Sequence, residues 1–234
     1  MRTFAKAALA ASALAITGAA SAADLSAPRP LPAYKAPIVP VYTWTGFYVG
    51  ANIGWGWTDG DGTLTTALGG PGPISGSGDG FLGGIQAGYN WQMGNWVLGF
   101  ETDFDGSAGD GNLGGGPAAT PLAATAKTPW FGTVRGRIGY AAGRWLIYGT
   151  GGGIYMNEKL DGTIGGVGFS SSTTAWSWVA GAGVETMLWD PRWSAKVEYL
   201  HAGTPDEVPT PPGTTGITGN INTDMVRVGL NYRF

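Results

Sequence analysis

Ten of the chain's ionisable residues alternate with apolar or small neighbours. Glu101, Asp103 and Asp105 form one run, Arg135 and Arg137 another, and Lys196 and Glu198 a third, while Glu185, Arg227 and Arg233 keep the same alternation with their own neighbours. A spacing of two puts side chains on one face of an extended strand. Strands sharing one sheet would bring both signs of charge onto one surface, where carboxylates pair with guanidinium and ammonium groups. Hydrolytic chemistry has less support. There is one histidine and no cysteine. His201 shares its parity with Tyr199 and Gly203, so no serine lies beside it on that face, and a nucleophile needs a base within hydrogen-bond reach. One His without Cys also argues against zinc. The acids Asp59, Asp61, Asp79, Asp110, Asp161, Asp206 and Glu207 lack the ligand spacing of a calcium loop. Their segments have no His and almost no aromatics, which argues against a haem or metal-complex receptor. Two G-x-G-x-x-G matches, at Gly78–Gly83 and Gly109–Gly114, do not lie between a strand and a helix as a dinucleotide site requires. With 43 glycines in 234 residues they are chance. The expectation is no enzyme, and no catalytic, cofactor or metal site.

The elements that position those charges are strands. In Asp224–Phe234, Val226, Val228, Leu230, Tyr232 and Phe234 take one parity, and Arg227, Gly229, Asn231 and Arg233 the other. This is the period of a strand that is apolar on one side and polar on the other. The same pattern predicts strands at about 46–57, 81–92, 96–105, 130–140, 144–156, 174–188 and 193–202. Residues 144–156 are the least regular: Leu146, Tyr148, Ile154 and Met156 share a face, but Gly151-Gly152-Gly153 interrupts it. Stretches 58–80, 107–128, 157–173 and 203–221 are rich in Gly, Asp, Thr or Pro and read as long loops. Met93-Gly94-Asn95, Ala141-Ala142-Gly143 and Trp189-Asp190-Pro191-Arg192 read as short turns.

Eight strands with alternating long and short connections predict an all-β fold: an eight-stranded antiparallel up-and-down transmembrane β-barrel with short periplasmic turns and four long outer loops. Aromatics sort accordingly. Phe47, Tyr89, Trp91, Trp96, Tyr140, Trp145, Trp193, Tyr232 and Phe234 lie at the turn ends. Trp55, Trp57, Phe81, Phe104, Trp130, Tyr155, Trp176, Trp178 and Tyr199 lie at the loop ends. These make two belts, one for each bilayer interface. A barrel of eight strands is just wide enough for side chains to fill. The inward charges Glu101, Asp103, Asp105, Arg135, Arg137, Glu185, Lys196, Glu198, Arg227 and Arg233 therefore read first as an interlocked ion-pair core. A narrow polar conduit and a proton or ligand site are the alternatives. Inner-face glycines would make room for larger neighbours.

Residues 1–22 read as a signal peptide, with Arg2 and Lys6 before the apolar run Ala7–Ile16 and an A-x-A site at Ala20-Ser21-Ala22, so that the mature chain starts at Ala23. Residues 23–43 read as a Pro-rich periplasmic linker and 44–234 as the barrel. Without Arg2 and Lys6 the 13 Lys+Arg fall to 11 against 16 Asp+Glu, a net charge of −5, which excludes a nucleic-acid partner.

The segment Tyr42-Thr43-Trp44-Thr45-Gly46-Phe47-Tyr48-Val49-Gly50-Ala51-Asn52-Ile53-Gly54-Trp55-Gly56 resembles the opening of the small alphaproteobacterial outer-membrane proteins known as immunogenic or porin-family proteins. Ala22–Leu25 before the prolines, Val134–Tyr140, Val179–Glu185, Ala195–Leu200 and Val226–Phe234 carry the same resemblance. It implies an eight-stranded barrel, a place in the bacterial outer membrane and an envelope role. In such proteins an ending like Leu230, Tyr232 and Phe234 serves as an assembly signal. The expected partners are outer-membrane lipid and lipopolysaccharide, the barrel-assembly machinery and a surface partner reached through the outer loops. The expected role is structural, contributing to envelope integrity and surface contacts; a small porin is the rival and a lipid-directed enzyme a third reading.

Overall fold

A computed structural model describes residues 42–205, 210–211 and 213–234. The signal peptide, its cleavage residues Ala20, Ala22 and Ala23, and all but the end of the Pro-rich linker lie outside the described residues. The remainder forms nine strands: β1 Gly46–Thr66, β2 Gly70–Met93, β3 Trp96–Ser107, β4 Asp110–Gly115, β5 Leu122–Ala142, β6 Trp145–Ile164, β7 Val167–Met187, β8 Trp193–Ala202 and β9 Thr214–Arg233. Neighbours pair antiparallel, and β1 pairs with both β2 and β9, so the sheet closes on itself. β4 pairs with β2 and β5, the same two strands that flank β3. β3 and β4 are thus one interrupted stave, and the barrel has eight staves.

The stretches expected as loops are largely strand. β1 continues to Thr66 and β2 begins at Gly70, pairing without a break through residues 58–80. Residues 157–173 form β6 and β7 joined by Gly165-Gly166, both at positive φ (58° and 84°), the conformation of a two-residue hairpin turn. Residues 107–128 hold β4 and the start of β5, and β9 begins within 203–221. Gly and Asp are poor strand formers, but an antiparallel partner on each side supplies the ladder hydrogen bonds that outweigh this, and the interspersed Thr favours strand. Gly151-Gly152-Gly153 likewise lies inside an unbroken β6.

The outward band is apolar. Phe47, Val49, Ile53, Trp55, Ile85, Phe100, Ile138, Trp176 and Val228 are all exposed, an apolar band of the kind that faces lipid in a membrane barrel. From Phe47 to Trp57, β1 runs about 33 Å, which at a tilt of about 40° is a height of about 25 Å, the thickness of an outer-membrane apolar band. The lumen is layered. At the short-turn end Trp44, Val97, Ala141, Leu146, Tyr148 and Met187 make an apolar layer. The charged residues fill the middle. Beyond them Leu82, Phe131, Ile154, Met156, Val179, Leu200 and Met225 make a second apolar layer, and near the hairpin tips Leu64, Ile74 and Leu122 make a third. The face shared by Leu146, Tyr148, Ile154 and Met156 is therefore lumenal; on β6 the outward side chains at the turn end are Trp145 and Ile147.

Candidate functional site

The middle of the lumen is a knot of ion pairs. Arg135 on β5 reaches Glu101 (2.6 Å) and Asp103 (3.0 Å) on β3 and Glu198 (3.0 Å) on β8. Arg227 on β9 reaches Asp103 and Asp105 at 3.0 Å each and Glu198 at 2.7 Å. Lys196 donates to Glu101 at 2.7 Å, and Arg137 to Glu185 at 2.9 Å. The side chains of Arg135, Arg227, Asp103, Asp105, Lys196 and Glu198 have no exposed area. Five carboxylates (Glu101, Asp103, Asp105, Glu185, Glu198) face four cations (Arg135, Arg137, Lys196, Arg227). Neutral donors complete the shell: Tyr48 donates to Glu101 at 2.7 Å, Tyr148 to Glu198 at 3.0 Å, and Asn231 to Glu185 at 3.0 Å. Charges this deep are tolerated because each finds partners; removing one would leave the others uncompensated.

Strand register builds the knot. Glu101 lies opposite Arg135, Glu198 opposite Arg227 and Glu185 opposite Lys196 on adjacent strands, and Arg135–Glu198 and Arg227–Asp103 cross the lumen. Space comes from glycines: a Cβ on Gly88 would strike the Tyr48 ring and one on Gly183 the Tyr148 ring. Arg233 faces the lumen as expected and is buried there, but it makes no ion pair among the described residues, and its guanidinium lies 4.7 Å from the centre of the Trp44 ring. It sits nearer the turn end than the carboxylates, and Trp44 covers it.

An outward apolar band around a charged lumen is the arrangement of an outer-membrane barrel, and comparison with known proteins agrees. Residues 7–234 match the family model described as an outer membrane protein beta-barrel domain. The chain belongs to the outer-membrane β-barrel protein family. Its relatives include the 31 kDa outer-membrane immunogenic protein of Brucella melitensis, 36% identical over 230 residues that make up 92% of this chain and 93% of that protein. The 22 kDa outer membrane protein of Rhizobium leguminosarum is 36% identical over 156 residues, covering 67% of this chain and 63% of that protein. Among solved structures, the outer membrane protein OprG of Pseudomonas aeruginosa shares the fold at a TM-score of 0.50 and 10% identity, over 83% of this chain and 99% of that one. The protein resides in the bacterial outer membrane.

On this outer-membrane barrel Leu230, Tyr232 and Phe234 stand on the lipid side. The Tyr232 ring lies 5.1 Å from Trp193 and 5.4 Å from Phe234. His201 is also outward, at the second aromatic belt, with the Trp178 ring 5.4 Å away. Its Nδ1 lies 2.8 Å from the Asp224 carboxylate, which also accepts a hydrogen bond from Tyr199. This partner lies on the neighbouring strand and not two residues away on the same one: His201 and Asp224 are opposed across β8 and β9. Counting register back from the charges on β9 could have found it. Ser177 is not available to this pair: its hydroxyl points inward and donates to the Gly203 carbonyl at 2.7 Å.

Proposed function

We propose that this outer-membrane barrel is structural: closed to solutes, contributing to envelope integrity, and displaying its long hairpins for surface contacts. The observation that carries this reading is the ion-pair knot, which crosses the lumen with fully buried side chains between two apolar layers. Side chains packed this closely across the lumen support a filled core rather than a water-filled conduit. The relatives are named immunogenic, which supports surface display by the hairpins here too. Lipid and lipopolysaccharide would contact the outward band. The barrel-assembly machinery would read Leu230, Tyr232 and Phe234, after a signal peptide is removed behind Ala22. The test is single-channel recording on the mature chain refolded into planar bilayers, with a heat-shifted gel band as the sign of folding. Folded protein without steady openings is the expected result. Steady openings that weaken when Arg135 or Glu101 is neutralised would make it a small porin.

A further inference from the structure

Above the second apolar layer, the hairpin extensions of the staves enclose a chamber of about 1110 Å³. It is larger than most small-molecule sites, which run to about 1,000 Å³. Phe131, Met156 and Met225 lie on its floor and Ile74 and Ile217 towards its far end. Its walls are mostly Gly, Ser and Thr. Strand parity points one ionisable side chain of the described residues into this space: Glu158, which continues the inward series of Ile154 and Met156 on β6. Across from it stand Thr173 on β7 and, on β5, the irregularity between Lys127 and Trp130. Lys127 and Lys159 also border the chamber, but they take the exposed parity, and Lys127 pairs with Asp110 at 3.3 Å. Glu158 makes no hydrogen bond or ion pair with any described residue. It lies beyond Tyr155 of the outer aromatic belt, so it is outside the membrane band, and burial holds its carboxyl above the usual carboxylate range.

We infer that this chamber is a binding site for a small apolar amine, its ring or branched body on the Phe131–Met156–Met225 floor and its ammonium on the Glu158 carboxylate. An apolar floor without cover forgoes hydrophobic burial. A half-buried carboxylate without a cation bears the cost of desolvation alone. One ligand with an apolar body and one positive charge satisfies both, and a charge-assisted bond is the stronger kind. Aromatic bodies gain further from the thioethers of Met156 and Met225. A neutral ligand leaves the carboxylate unmet, and an anion opposes it.

The test uses the full barrel in lipid nanodiscs, titrated calorimetrically with 1-naphthylmethylamine and with 1-naphthylmethanol as the uncharged match, after subtraction of empty discs. The amine should bind saturably, and the alcohol about tenfold more weakly. Glu158→Gln should bring the amine to the level of the alcohol. Ala126→Trp, which fills the chamber from its wall, should abolish both, with a heat-shifted gel band confirming that each variant is folded. No saturable binding, or equal binding by wild type and Ala126→Trp, overturns the site. Equal binding of amine and alcohol, unchanged by Glu158→Gln, overturns the amine class.

Discussion

At the scale of single residues, the knot separates charges that are indispensable from hydroxyls that are not. Arg135 holds three carboxylates, so Arg135→Met should lose about 3–5 kcal/mol, the effect of stranding buried charge. Tyr148→Phe removes a single hydroxyl from Glu198 and should lose about 1 kcal/mol. Urea unfolding of the two variants in lipid checks the ratio; equal losses would mean the knot is not what holds the barrel. Glu158 gives a pH dependence of known sign. Its folded carboxyl titrates above the ordinary value, so between the two values the folded state keeps a proton that the unfolded chain has lost, and stability falls as pH rises. Glu158→Gln should therefore be more stable than wild type at about pH 8 and indistinguishable from it at about pH 3.5, below both values. Unfolding midpoints at the two pH values read this directly. Parity alone made the lumenal charges legible, because inward and outward are a property of one strand. Which charges meet is a property of register between strands, and that hid the His201–Asp224 pair and the fact that Arg233 joins no ion pair among the described residues.

At the scale of elements, glycine carries two opposite messages in this chain. Gly88 and Gly183 sit where a ring needs the room, and alternation with larger residues made that readable. Gly60, Gly62, Gly76 and Gly78 look like loop composition and yet lie in continuous ladders, because propensity is judged one residue at a time while pairing acts along a whole hairpin. The same difference hid the join of β3 and β4 into one stave: six residues with no apolar alternation show no strand until their partners are known. Gly183→Val should press on Tyr148 and the backbone of Val197 and lose about 1–3 kcal/mol by overpacking. Adding Tyr148→Ala should recover part of that loss, since contacting residues do not add. Thermal unfolding of the two single variants and the double variant tests the contact.

At the scale of the whole molecule, the closed wall within the membrane and the hairpins beyond it are separable. Gly60 and Gly76 are register partners. Replacing residues 61–75 with Asn-Gly should leave a barrel that still shows a heat-shifted gel band, because the ladders through the aromatic belts are untouched. Loss of the folded band would mean that the hairpins hold the wall closed. The class of fold was legible because the bilayer imposes one period and one thickness on every stave. The ends of the staves were not, since beyond the bilayer nothing imposes either. The seam between β1 and β9 has one more consequence, in time. Its partners, such as Trp55 and Val226, stand at opposite ends of the described chain, so the join that seals the cylinder is also the last that synthesis makes possible. Until β9 has been made, the earlier staves form at best an open sheet with unpaired edges, which cannot rest in lipid. A copy that stops short of β9 has no partial success open to it: without the seam there is no weaker barrel, because there is no closed wall to enter lipid.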